Sequence, residues 1–360
     1  MSRSILLSPS LFKELVMERD DGACVCCKKR ATAVQHLLDT RLWEDGGHYL
    51  DNGASLCTEH RDALLKTTLS VELVRNAAGI KTPILPDSYS LDERYDCWGN
   101  SVRPTGVRYK GELFDEPDVQ QWLIKGECLD DFSPYYKYPS TPHVPWSQGV
   151  QRDDRSLASD AHFIGQEVIL TEKRDGENAT LYADYYHARS LDGRHHPSRD
   201  WIKNFWGQIK HEIPEGWRIC GENLFARHSL GYDNLESYFE AFSIWNEKNV
   251  RLSWDDTVAY LDMLGIRPVP VIDRFIYSRD RAESIVKELD LERCEGYVLS
   301  LTRPFSYREF RHCVAKFVRE GHVQTDKHWM NQAVVSNCLN KDKKSVNKIN
   351  RKETDCQYDS

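Results

Sequence analysis

The segment Thr171-Glu172-Lys173-Arg174-Asp175-Gly176-Glu177-Asn178 sets a primary amine at the end of an apolar strand and follows it with an Asp-Gly turn. A lysine so placed can attack the α-phosphate of a nucleotide once it is deprotonated. Neighbouring cations and partial burial would lower its pKa toward that state. The product would be a lysyl-nucleotide phosphoramidate. Lys-x-Asp-Gly by itself is weak, since ordinary residue usage writes it in roughly one chain in ten of this length. A strand followed by a charged turn is the plain alternative. Order favours the chemistry: downstream come His187-Ala188-Arg189-Ser190, Gly221-Glu222-Asn223, Tyr238 to Trp245, Glu295-Gly296-Tyr297-Val298 and Val314-Ala315-Lys316-Phe317-Val318-Arg319.

A second cluster lies near the N-terminus. Cys24-x₂-Cys27 and, thirty residues on, Cys57-x₂-His60 have the spacing of a structural tetrahedral zinc site. Cys26 adds a competing thiol, and an unmetallated cluster is the alternative. Between the pairs lie Gln35-His36, Gly46-Gly47, Asn52 and Leu56.

The ordered series around Lys173 resembles the covalent nucleotidyltransferase superfamily of DNA ligases, RNA ligases and messenger RNA capping enzymes, most closely its RNA ligase branch. The resemblance spans about Tyr135 to Met330. It includes Lys137 to His143, Ala188 to Asp192, Arg194 to Trp201 and Gly321 to Asp326. It implies that Lys173 takes AMP from ATP, that AMP passes to a 5′-phosphate end, and that a 3′-hydroxyl then displaces it.

The resemblance also implies roles for the neighbours. Glu172 would help read the adenine edge, unless it is an exposed turn carboxylate. Asp175 and Gly176 would shape the turn, and Asn178 would bond a ribose or phosphate oxygen. Arg189 would hold phosphate charge, for which a guanidinium fork is suited; its alternative is a surface strand arginine. Glu222 would accept the ribose hydroxyls or assist a metal, with a surface carboxylate as its alternative. Phe242 would stack on the purine, while Phe239, on the opposite strand face by the period-two rule, would be core.

Glu295 would coordinate the Mg²⁺ or Mn²⁺ that bridges the phosphates. Lys316 would contact the α-phosphate. Two departures stand out: Ser243 occupies the place of a usual aspartate, and Lys316 with Arg319 replaces two basic residues one position apart. The N-terminal cluster resembles the HNH nuclease fold, a ββα core with zinc knuckles. Gln35 and Arg61 stand where active HNH enzymes carry metal-binding groups, so the resemblance implies a nucleic-acid-binding module rather than a nuclease. Lys28, Lys29, Arg30 and Arg61 would supply phosphate contacts, with a solvated face as the alternative.

The elements that must position these residues read as an α+β fold. Residues 1–66 form the HNH-like zinc module, between helices at Pro9 to Glu18 and Glu59 to Lys66. Residues 67–132 are a connector with helices at Ser70 to Ala77 and Asp115 to Ile124. Residues 133–330 are the adenylyltransferase domain, with ATP-grasp-like antiparallel sheets and helices. Its strands are Glu167 to Thr171, Ala179 to Asp184, Trp217 to Gly221 and Tyr238 to Trp245. Helices over Ser198 to His211 and Ser253 to Leu264 each start at a serine N-cap. Residues 331–360, rich in Lys, Asn and Asp, read as a disordered tail.

The 360 residues carry a net charge of −8, so contacts to an RNA partner need local basic patches. Eleven scattered cysteines, an odd number, argue for thiols rather than a disulfide scaffold. Apolar runs are strand-sized and no signal peptide is evident, so a cytoplasmic protein is expected. The reading that follows is an ATP-dependent RNA ligase for repair or end sealing. A DNA ligase or capping-type guanylyltransferase would share Lys173, but no stretch after Arg319 looks long enough for the oligonucleotide-binding domain that both usually carry. A nucleic-acid-binding protein with a degenerate nuclease module is the reading from another class.

Overall fold

The computed structural model describes residues 5–87, 89–150, 154–191, 196–321 and 334–340. Parts of the resemblance at Asp192, Arg194, His195 and His322 to Asp326, and tail residues 341–360, lie outside the described residues. The chain divides into two compact units, Met1–Ser140 and Thr141–Ser360. No helix among the described residues is long and apolar enough to cross a membrane.

In the first unit, helix α1 (Pro9–Arg19) starts at Ser8, whose hydroxyl accepts the Leu11 N–H at 3.3 Å, with Pro9 at the first helical position. Strands β1 (Ala33–His36) and β2 (Gly53–Leu56) pair antiparallel, and helix α2 (Thr58–Leu65) follows. The chain between the strands is pinned by Asn52, which accepts the Leu38 N–H at 2.9 Å and donates to the Gly47 carbonyl at 3.0 Å. At Gly53 a Cβ would fall 2.6 Å from the Phe12 ring, so only glycine lets α1 lie this close to β2.

Residues 67–132, expected as a connector, join the same core. Helix α3 (Val71–Ala77), the short antiparallel strands β3 (Arg94–Tyr95), β4 (Ser101–Val102) and β5 (Arg108–Tyr109), and helix α4 (Pro117–Lys125) follow in order. Val71, Val74, Trp98, Leu113, Val119 and Leu123 pack into one cluster with Leu37, Leu56 and Leu64. The physical reason is size: a module of about 66 residues buries too little apolar surface to be self-sufficient.

The second unit holds two antiparallel sheets. Strand β6 (Glu167–Glu172) sits between β13 (Val271–Ile276) and β14 (Gly296–Leu301), and β16 (Val314–Val318) closes the other side of β14. In the larger sheet β8 (Tyr186–Ala188), β7 (Glu177–Leu181), β9 (Arg218–Asn223) and β10 (Phe239–Trp245) run in that order. Strands β11 (Val250–Arg251) and β15 (Phe305–Ser306) extend it, while β12 (Arg267–Pro268) pairs parallel with β10. Helices α5 (Asp200–Ile209) and α6 (Trp254–Met263) belong to this unit, as do α7 (Arg279–Glu288) and the single turn α8 (Phe310–Cys313). Ile202 and Leu261, from α5 and α6, share a core with Leu181, Ile219, Phe239 and Ile244.

Two local expectations shift. Helix α6 does begin at Ser253, whose hydroxyl accepts the Asp256 N–H at 3.0 Å. Helix α5, however, is preceded by a 3₁₀ turn at Pro197–Arg199, and Ser198 is not its cap: the Ser198 hydroxyl bonds His196 Nδ1 at 2.6 Å. Residues 334–340, assigned from composition to an unstructured tail, instead pack on the stretch 224–238, with Leu339 against Leu224, Leu230 and Leu235.

Candidate functional site

Lys173 follows β6 directly, and the antiparallel pairing with β14 puts the end of one strand beside the start of the other. Tyr297 faces Glu172, and the Lys173 N–H donates to the Gly296 carbonyl at 3.0 Å. Gly296 has φ +147°, and a Cβ there would meet the Phe317 carbonyl oxygen at 2.0 Å, so a side chain would force the strands apart. Glu295, one residue earlier and 4% exposed, thereby receives the Lys173 ammonium as an ion pair.

The Asp175-Gly176 turn carries the chain from β6 to β7, in the larger sheet. There Asn178 lies opposite Glu222 on β9, and the Gly176 N–H donates to Glu222 Oε1 at 3.2 Å. Each sheet therefore contributes a carboxylate to the lysine, Glu295 from one and Glu222 from the other.

The electrostatics differ from the sequence expectation that neighbouring cations depress the Lys173 pKa. Burial does push it down, but Glu295, Glu222 and Asp175 outweigh burial and hold it above the ordinary lysine value. Burial raises the Glu222 carboxyl to about 8 against the pull of Lys173, with Glu295 and Asp175 adding to the rise. Asp175 is raised to about 6, again mainly by burial and then by Glu295.

Five further candidates lie around this junction. Lys316 lies on β16 opposite Val298, which also faces Thr171, two residues before Lys173. By the alternation of strands the two lysines share a face, and burial lowers the Lys316 pKa, with Lys173 and Arg189 among the charges that lower it further. Phe242 stands at a β-bulge in β10, half-buried against Ile169, Trp254 and Val269, whereas Phe239 is fully buried. Arg189 is exposed just after β8. Arg319 donates its backbone N–H to the Glu295 carbonyl at 2.9 Å and buries an Nε for which the described residues offer no acceptor. Asn178 likewise buries an Oδ1 with no donor among them.

Several groups escaped the sequence reading. Arg174 bonds Glu240 through Nε at 2.6 Å and Glu172 at 2.7 Å, so Glu172 is already engaged on one oxygen. The Arg174 guanidinium also lies 5.0 Å from the centre of the Tyr232 ring. Asp154 places one oxygen 3.1 Å from Lys316 Nζ and the other 3.1 Å from the Nε2 of His143, which is fully buried. His143 reaches this position because residues 142–149 run along β16: Lys316 donates its N–H to the Pro142 carbonyl and Val144 donates to that of Lys316, each at 2.8 Å. Nothing in the spacing of Asp154 marks it. His143 ends the stretch Lys137 to His143, for which the resemblance implies no role.

In the first unit the ligand atoms of Cys24, Cys27, Cys57 and His60 all lie within 4.8 Å of one another. Cys27 Sγ is 3.8 Å from Cys57 Sγ, and Cys57 Sγ is 3.2 Å from His60 Nδ1. The first pair precedes β1; Cys57 caps α2 and His60 sits in its first turn. His36 bonds His48 between ring nitrogens at 3.0 Å and is stacked on Phe12 with ring centres 4.3 Å apart.

Residues 166–318 match the family model described as RNA ligase. No curated protein matches the chain. Among solved structures it is similar to an archaeal ATP-dependent RNA ligase, with 16% identity over 51% of this chain and 48% of that one, at a TM-score of 0.37. A Naegleria gruberi RNA ligase with pyrophosphate gives 18% identity over 51% and 57%, at 0.34. A putative ATP-dependent DNA ligase from Aquifex aeolicus gives 19% over 51% and 50%, at 0.35. The matched region spans about half the length of these structures.

Proposed function

We propose that the chain is an ATP-dependent RNA ligase that seals 5′-phosphate and 3′-hydroxyl ends through an AMP carried on Lys173. The observation that carries this reading is the meeting of Lys173 with Glu295 and Glu222, one from each sheet, inside the region that matches the RNA ligase family model. Lys173 Nζ would bond the α-phosphorus of ATP as the bond to pyrophosphate breaks, after its proton has left. A divalent cation, Mg²⁺ or Mn²⁺, would supply charge that competes with Lys173 for Glu295 and steadies the phosphates. Lys316 would neutralise the α-phosphate from the shared face, and Arg189 would hold phosphate at the rim. Phe242, at the bulge, is the candidate for purine stacking. Asn178 Oδ1, an acceptor without a donor, suits a ribose hydroxyl better than a phosphate oxygen. Arg174 would fix Glu172 so that its free oxygen meets the adenine amino group.

The test is incubation with α-labelled ATP or GTP and Mg²⁺, followed by RNA, DNA and hybrid nicks or single-stranded ends. Label from ATP and sealing of RNA support the reading. Label from GTP points to a capping-type enzyme, preferential sealing of DNA nicks to a DNA ligase, and no label to a binding protein.

Two measurements probe the site's charges. Because Glu222 holds its proton up to about pH 8, a cation that needs its carboxylate must displace that proton. Mn²⁺ affinity is therefore expected to climb as pH rises, by about tenfold per unit up to pH 8 where one proton is released, and then to level off. Glu222→Gln should flatten that slope. Asp154→Asn, in turn, frees Lys316 from its counter-charge. KM for ATP in the labelling step should fall about fivefold, the equivalent of ~1 kcal/mol; a rise would mean that Asp154 orients Lys316 rather than occupying it.

The N-terminal unit we read as an HNH-like module built on a structural zinc ion. The sulfur-rich donor set suits zinc, and a tetrahedron with Zn–S of about 2.3 Å has an S···S edge of about 3.8 Å, the separation of Cys27 and Cys57. The order β1, β2, α2 fits a ββα core. His36, which the resemblance sets at the central-histidine position of the HNH fold, bonds His48 and is covered by Phe12, which counts against cleavage.

A further inference from the structure

We propose that Val334–Asn340 is a latch that completes the adenylylation site, with Asn337 as its positioning residue; the inference rests on the ligase reading of Lys173. Asn337 is 2% exposed, and both its side chain and its backbone bond the stretch 224–238. Its Oδ1 accepts the Tyr232 N–H at 2.9 Å, while its Nδ2 donates to the Leu224 carbonyl at 2.8 Å and the Ala226 carbonyl at 3.4 Å. Its own N–H donates to the Phe225 carbonyl at 2.9 Å, and its carbonyl accepts the Tyr238 hydroxyl at 2.9 Å. Either side of it, Arg227 donates to the Val335 carbonyl at 2.7 Å, Cys338 to that of Tyr232 at 2.9 Å and Asn340 to that of Leu235 at 2.7 Å.

The stretch so held is the one that grips the lysine turn. The Tyr232 hydroxyl accepts the Asp175 N–H at 2.9 Å, its ring lies under Arg174, and the Leu230 N–H donates to Asp175 Oδ2 at 2.6 Å. His228 Nδ1 is a further 3.9 Å from Asp175 Oδ1. Only Arg174 separates Asp175 from Lys173. A continuous chain of hydrogen bonds therefore runs from Asn337 through Tyr232 to the turn that aims the nucleophile.

The latch touches neither Glu295 nor Lys316 in any bond described. Loosening it should misplace the amine while leaving groups that hold the nucleotide. Deleting residues 334–360 from the full chain should lower the rate of Lys173 labelling at saturating ATP by about tenfold to a hundredfold, the cost typical of a nucleophile displaced by about 1 Å. KM for ATP should stay within about threefold, since the binding groups persist. Deleting only residues 341–360 should retain the labelling rate.

Asn337→Ala should reproduce the loss in part, and Tyr232→Phe, which keeps the ring but not the hydroxyl, should do likewise. Sealing of RNA that already carries a 5′-adenylate does not use the Lys173 nucleophile, so in Asn337→Ala it should fall much less than labelling. The proposal is overturned if labelling and sealing of the adenylylated RNA fall together, if KM rises in place of the rate change, or if deletion of 341–360 alone gives the full loss. A wild-type chain that takes no label refutes the ligase reading itself. Equal labelling of the wild-type and 334–360-deleted chains refutes the latch alone.

Discussion

Lys173→Ala is expected to abolish covalent labelling by ATP completely, because no other described lysine pairs with Glu295 at the junction of the two sheets. Lys173→Arg should fail as fully. Its guanidinium keeps the positive charge but does not deprotonate in a protein, so it offers no nucleophile. The pair of variants separates chemistry from charge balance. Alanine leaves Glu295, Glu222 and Asp175 without their cation, which should push the Glu222 and Asp175 carboxyls further up and weaken the fold. Lys173 keeps a quarter of its side chain exposed, so the cost should be ~1–3 kcal/mol, below that of a fully buried pair. Arginine should recover most of that stability in thermal unfolding while remaining unlabelled. Retained label in either variant would move the nucleophile elsewhere.

What the sequence made legible follows from how local each signal is. The strand before Lys173, the Asp-Gly turn and the helix capped by Ser253 are specified within a few residues, and they stand as expected. The ordered carboxylates were readable only through the resemblance, since which strand ends meet is decided by tertiary pairing. Partners chosen by tertiary packing were not readable. Asp154 comes to Lys316 only because residues 142–149 pair along β16. Asn337 comes to Tyr232 through bonds to the Tyr232 N–H and the Leu224, Phe225 and Ala226 carbonyls, all about a hundred residues away in sequence. The lysine's electrostatics depend on packing in the same way: the acids Glu295, Glu222 and Asp175 converge from both sheets and outweigh burial. In the first unit, composition marked 67–132 as a connector, yet Trp98 and Leu123 fill a core that the cysteine module could not close alone.

That shared core sharpens the second large expectation, the response to zinc removal. Structural zinc in small fingers is worth ~10–16 kcal/mol of apparent binding energy, comparable to the whole stability of a domain, about 5–15 kcal/mol. Cys24, Cys27, Cys57 and His60 tie the start of the module to α2, whose Leu64 and Leu65 lie in the core. Chelation, or Cys57→Ser, is therefore expected to unfold the first unit despite the apolar surface that 67–132 adds, with loss of near-ultraviolet signal from Trp43 and Trp98. A chelator would also strip a divalent cation from the proposed ligase site, and the order of restoration distinguishes the two. Mg²⁺ alone should restore Lys173 labelling, because that site is built from residues beyond 140. RNA binding by the first unit should return only with Zn²⁺. If Mg²⁺ alone restored both, the four ligands would be a thiol cluster without a structural ion, and the first unit would owe its fold to the core that Trp98 and Leu123 complete.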